Sequence, residues 1–87
     1  PPKVAADYGL SCTTTSDIND VVTALQNGAV VVSSQGPGIF TSKGHIITLA
    51  GLDSNGNIIV NNPSGSINSY SPSSVDASAA RYWIISD

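Results

Sequence analysis

Methionine and glutamate are absent from this chain of 87 residues, and cysteine, histidine, tryptophan and phenylalanine occur once each. A lone cysteine cannot close an intramolecular disulfide, and one histidine without glutamate gives zinc no usual donor set. No metal or other cofactor is therefore expected. Only three basic residues, Lys3, Lys43 and Arg81, stand against six aspartates, for a net charge of -3. Without a basic patch to neutralise phosphates, nucleic-acid binding is excluded as a function. No apolar run approaches the roughly 20 residues that span a bilayer. The chain opens on Pro1-Pro2, with neither a methionine nor a signal-peptide pattern, and reads as a stretch trimmed from something longer.

With so few charges, the surface must be built from Ser, Thr, Asn and Gly, a composition expected of an extracellular or bacterial cell-surface protein. The length allows one domain with a modest core, burying only about 60 per cent of its unfolded surface.

The most informative stretch is Gly44 to Pro63. A β-branched-rich run from Ile46 to Leu52 and a second from Ile58 to Val60 flank Asp53-Ser54-Asn55-Gly56, a strong hairpin signal. Pro63 cannot donate to a ladder and should end the second strand. If Leu52 pairs with Asn57, Asn62 falls opposite Ile47; with a two-residue Asn55-Gly56 turn it falls opposite Leu49. In both registers it shares a face with His45, whereas a loop of odd length would send it to the other face. An imidazole and a carboxamide one strand apart form the base-and-orienter half of a Cys-His-Asn arrangement, in which the amide holds the ring in the tautomer that can accept a thiol proton. A structural histidine at a strand start, beside an ordinary Asn-Asn-Pro turn, is the competing reading.

Around the hairpin, Ile18, Val21, Val22 and Leu25 follow i, i+3, i+4, i+7 spacing, with Ser16 to cap the helix, Asp17 and Asp20 at its positive end, and Gly28 to stop it. Residues 29–33 read as a buried strand and residues 34–44 as a long glycine-rich loop leading to His45. That loop lacks the Gly-Lys-Ser/Thr ending of a phosphate loop. Residues 71–76 look like one capped helical turn, with Ser71 as cap and Pro72 first. Residues 80–86 read as a final strand in which Trp83 supplies core or a cleft wall. Residues 1–7 read as an approach segment. The sum is an α+β domain: an antiparallel sheet of about four strands with one main helix packed on it.

Gly44-His45-Ile46-Ile47-Thr48-Leu49-Ala50-Gly51-Leu52-Asp53, followed by Gly56-Asn57-Ile58-Ile59-Val60-Asn61-Asn62-Pro63, resembles the Gly-His strand and the Val-Asn-Asp-Pro strand of cysteine peptidases akin to the double-glycine-leader, bacteriocin-processing peptidases. The likeness runs back through Leu25-Gln26-Asn27-Gly28-Ala29-Val30-Val31-Val32 to Tyr8-Gly9-Leu10, and forward to Tyr82-Trp83-Ile84-Ile85. It implies the sheet half of a papain-like fold, with His45 as general base and Asn62 as its orienter in place of the more usual aspartate. It also implies that Gln35, Gly36, Gly38 and Gly44 line a cleft for an extended peptide, glycine allowing close backbone approach. A loop glutamine that is merely solvated is the other reading of Gln35.

The family's nucleophilic cysteine and oxyanion-hole glutamine have no counterpart in this chain, and Cys12 does not match the nucleophile's position. The resemblance thus implies the C-terminal part of a peptide or cell-wall amide hydrolase. Such a part is inactive without an upstream lobe, which would be its partner. The alternative is a non-catalytic peptidase-like module that binds an extended peptide.

Overall fold

In the computed structural model, which describes residues 8–62 and 64–87, the elements run β1 (Ser11–Thr15), α1 (Ile18–Gln26), β2 (Val30–Gln35), β3 (His45–Leu52), β4 (Ile58–Asn61), β5 (Ile67–Tyr70), α2 (Pro72–Asp76) and β6 (Ala79–Ser86). The strands form one six-stranded sheet in the order β1-β6-β2-β3-β4-β5, with every described neighbour antiparallel. The α+β class stands, but the sheet has six strands rather than four, and α2 joins the main helix. The two unanticipated strands are its edges, Ser-Cys-Thr-Thr-Thr and Ile-Asn-Ser-Tyr. Both leave most side chains in solvent, so neither carries the apolar alternation that marks a half-buried strand.

Val21 and Leu25 of α1 face Val31, Ile47, Leu49, Ile58, Val60 and Tyr82 from the sheet and Val75 from α2 in one core. Burial alternates along β2 and β4, which gives the sheet an inner face under the helices and an outer face turned away from them. The cap of α1 is Asp17 rather than Ser16: its carboxylate accepts the Asn19 N–H at 2.9 Å. At the other end Gly28 takes the positive φ of 86° that stops the helix. In α2, Ser71 caps and Pro72 leads, as the spacing predicts. Strand β2 continues through Ser34 and Gln35, so the glycine loop begins at Gly36. Trp83 points outward, where it lines a shallow apolar cavity with Val32, Ile46 and Ile85. The approach segment, residues 1–7, and the strand stop at Pro63 lie outside the described residues. Among the described residues, no helix is long and apolar enough to cross a membrane.

Candidate functional site

The hairpin of β3 and β4 decides where His45 and Asn62 meet. Leu52 pairs with Ile58, and Gly51 with Ile59, which leaves residues 53–57 as a loop of odd length. A regular ladder would then put Asn62 on the face opposite His45. The ladder is not regular: Ala50 bulges out, Leu49 pairs with Val60, and Thr48 with Asn61. One extra residue on β3 cancels the odd loop, and Asn62 follows on the inner face with Val60 and Ile58.

Asp53 explains the odd loop. Its backbone N–H bonds the Asn57 carbonyl at 2.9 Å, and its carboxylate accepts the N–H groups of Asn55 and Asn57, each at 2.9 Å. Gly56 completes the turn at φ 80°. The Asn57 N–H is the main cause that holds the Asp53 carboxyl below its ordinary value; desolvation opposes it, and the Asn55 N–H and Ser69 hydroxyl reinforce it.

On the other side, the Asn62 N–H bonds the Ser66 carbonyl at 3.0 Å and the Asn62 carbonyl accepts from Gly65 at 2.9 Å. With its backbone fixed in this turn, Asn62 places Oδ1 at 3.1 Å from Nε2 of the half-buried His45. An amide oxygen can only accept, so Nε2 carries the proton of the neutral ring and Nδ1 carries the lone pair. Among the described residues no hydrogen bond engages Nδ1. A ring held at one nitrogen and basic at the other is what proton abstraction from a thiol or water requires.

The four residues expected to line a cleft are placed differently from one another. Gln35 pairs with His45 across β2 and β3, but it is a buried strand residue, 3% exposed, whose amide is turned inward. Its nitrogen donates to Ser33 Oγ at 2.9 Å and to the Val75 carbonyl at 3.2 Å, while its oxygen accepts from the Ser78 hydroxyl at 2.7 Å. Gly38 lies against Ser78 so closely that a Cβ there would sit 2.5 Å from the serine Cβ. At Gly36 and Gly44 an added Cβ would meet nothing closer than 3.7 Å and 3.8 Å, so the fold itself does not demand glycine at either. Cys12 is three strand spacings from β3, about 14 Å at the usual ~4.8 Å, and belongs to the outer face with its partner Ile85. It is out of reach of the His45 ring.

Two further features escaped the sequence reading. Ser78 sits in an unremarkable Ala-Ser-Ala run, and nothing in its neighbours signals a hydrogen bond to Gln35. Phe40 of the glycine loop packs edge-on against Tyr70 at a centroid distance of 4.9 Å; loop aromatics of this kind announce themselves only by apolarity. The His45–Asn62 pair lies outside the apolar cavity under Trp83 and outside a second one between Leu10, Gly28 and Asp87. It stands at the end of the sheet where β3 begins and β4 ends.

A profile of the Peptidase_C39 like family matches residues 2–86. No curated protein and no solved structure matches the chain.

Proposed function

Because the chain belongs to the Peptidase_C39 like family, we propose that it is the sheet-bearing part of a cysteine-dependent amide hydrolase of papain-like fold, acting on peptides or cell-wall peptides, with His45 as general base and Asn62 as its orienter. The observation that carries this reading is the 3.1 Å contact between His45 Nε2 and Asn62 Oδ1, with Nδ1 unengaged among the described residues. The thiol comes from a segment or partner outside these residues, since Cys12 is on the wrong strand and face. In the assembled site the S–H proton passes to Nδ1, and the thiolate attacks the amide carbonyl carbon. The imidazolium then returns the proton to the departing amine, and water hydrolyses the thioester with the same ring as base. Asn62 holds the imidazolium through Oδ1, more weakly than a carboxylate would. The weakly charged, hydroxyl-rich surface supports an extracellular or cell-surface setting.

The test compares this chain by itself with a protein in which it is joined to a cysteine-bearing lobe. The chain by itself should hydrolyse no peptide; the joined protein should, and His45→Ala should lower its rate by about 10²–10⁴-fold, the usual contribution of a general base. Equal rates with and without His45 contradict the assignment. A joined protein that binds peptide without cleaving it favours the second reading, a peptide-binding module. That reading rests on β5, an uncharged edge strand whose Ile67, Asn68 and Ser69 are all exposed and open to strand addition.

A further inference from the structure

Ser78 is gripped at three points by the strand end and loop that flank His45. Its hydroxyl donates to Gln35 Oε1 at 2.7 Å, its carbonyl accepts the Gly36 N–H at 2.8 Å, and its side chain fills the space where Gly38 lacks a Cβ. Gln35 in turn spends both amide hydrogens on Ser33 and Val75, so the buried side chain has a partner for every donor and for its oxygen. The ladder between β2 and β6 shifts register at this point, from Ser34–Arg81 to Gln35–Ala79, and the shift brings Ser78 alongside.

A leucine could fill the same volume without desolvating an amide. A fully satisfied buried network instead specifies one arrangement, because any displacement leaves a polar group unpaired. That arrangement matters where it is placed. Gln35 is the cross-strand partner of His45, and the glycine loop leaves the sheet at Gln35 and re-enters it at His45. A long glycine-rich connection would otherwise be the most mobile part of the hairpin.

We propose that Gln35 and Ser78 are positioning residues for the His45–Asn62 pair: they lock the strand end opposite the ring and seat the glycine loop beside it. The proposal rests on the catalytic reading of that pair. It changes the role of Gln35 from a contact with substrate to a support held beneath the site, and it gives Gly38 an intramolecular reason to be glycine.

The experiment follows the His45 Nε2–H proton by NMR in the uniformly labelled chain and measures its exchange with water. Ser78→Ala removes only the hydroxyl, and Gly38→Ala drives a methyl into Ser78; each should speed the exchange severalfold while the core amides of Val31 and Leu49 keep their protection. Asp17→Ala, which weakens α1 at a cap with no hydrogen bond to Gln35, Ser78 or the glycine loop, should leave it unchanged. Exchange unaltered by both loop variants, or equally accelerated by Asp17→Ala, overturns the positioning role. Asn62→Ala serves as the reference: if it too leaves the proton unaffected, the His45–Asn62 reading fails and the positioning role with it. If Asn62→Ala acts and the loop variants do not, only the positioning role fails.

Discussion

Asp53 and Tyr82 show how single side chains set the behaviour of the whole chain. The Asp53 carboxylate accepts N–H groups of the hairpin loop, chiefly that of Asn57, and its folded-state value lies below the ordinary 3.8. A depressed carboxyl stabilises the fold fully above the unfolded value and loses that stabilisation as the pH falls below it. Thermal unfolding between pH 5 and pH 2 should therefore be less acid-sensitive in Asp53→Asn than in the native sequence. Equal slopes would show that the loop hydrogen bonds carry no linkage.

The buried Tyr82 hydroxyl donates to Asp76 at 2.7 Å; burial first, and then that bond and the carboxylate charge, push its ionisation far above 10. Here the sign reverses: the contribution is complete below pH ~10, where tyrosine in the unfolded chain begins to ionise, and is lost above it. Tyr82→Phe should flatten the alkaline limb of the stability profile. That His45 and Asn62 flank one hairpin is legible in the sequence; that they share a face depends on the bulge at Ala50, which is not. Nor is the role of Ser78, because it depends on a contact with Gln35 from a distant part of the chain.

Among the elements, the β3–β4 hairpin departs furthest from its local pattern. Its two apolar runs and polar loop predict its existence, yet neither of the even-length loops inferred from the pattern is the one formed. Asp53 selects a loop of residues 53–57, and the bulge at Ala50 restores the face on which Asn62 must lie. A bulge leaves no mark in a hydrophobic pattern as short as Leu-Ala-Gly-Leu, which is why it was not anticipated. Deleting Ala50 should remove the bulge and leave Leu49–Val60 and Thr48–Asn61 paired as before. The variant should fold with the His45–Asn62 contact intact, visible as a ring–amide NOE; an outward His45 would show that the bulge does more than correct parity. The spacing of Ile18, Val21, Val22 and Leu25 marks out α1, whereas its cap is Asp17 and not Ser16. Asp17→Ala should cost about 1 kcal/mol in denaturant unfolding, the usual worth of such a cap.

At the scale of the molecule, the sheet carries its helices on one side. Ile46 is 58% exposed on the outer face, while its neighbour Ile47 is buried under α1. Substituting the two tests this sidedness directly: Ile47→Ala should cost about 2–5 kcal/mol as a core truncation, and Ile46→Thr should stay within about 0.5 kcal/mol. The main helix follows from its i, i+3, i+4, i+7 spacing, and the four inner strands, with the α+β class, from their apolar runs. The edge strands β1 and β5 exist only through pairing with β6 and β4, a long-range condition that local sequence does not display.

The proposed function turns on His45 and Asn62 holding one another as a base-and-orienter pair. The measurement that bears on it most directly is the tautomer state of the His45 ring, read from its nitrogen resonances near neutral pH in the native sequence beside Asn62→Ala. The pair predicts a ring protonated at Nε2, with a slowly exchanging Nε2–H that disappears when the amide is removed. Identical ring signals in the two proteins would mean that Asn62 does not hold the ring, and the half-site would not exist.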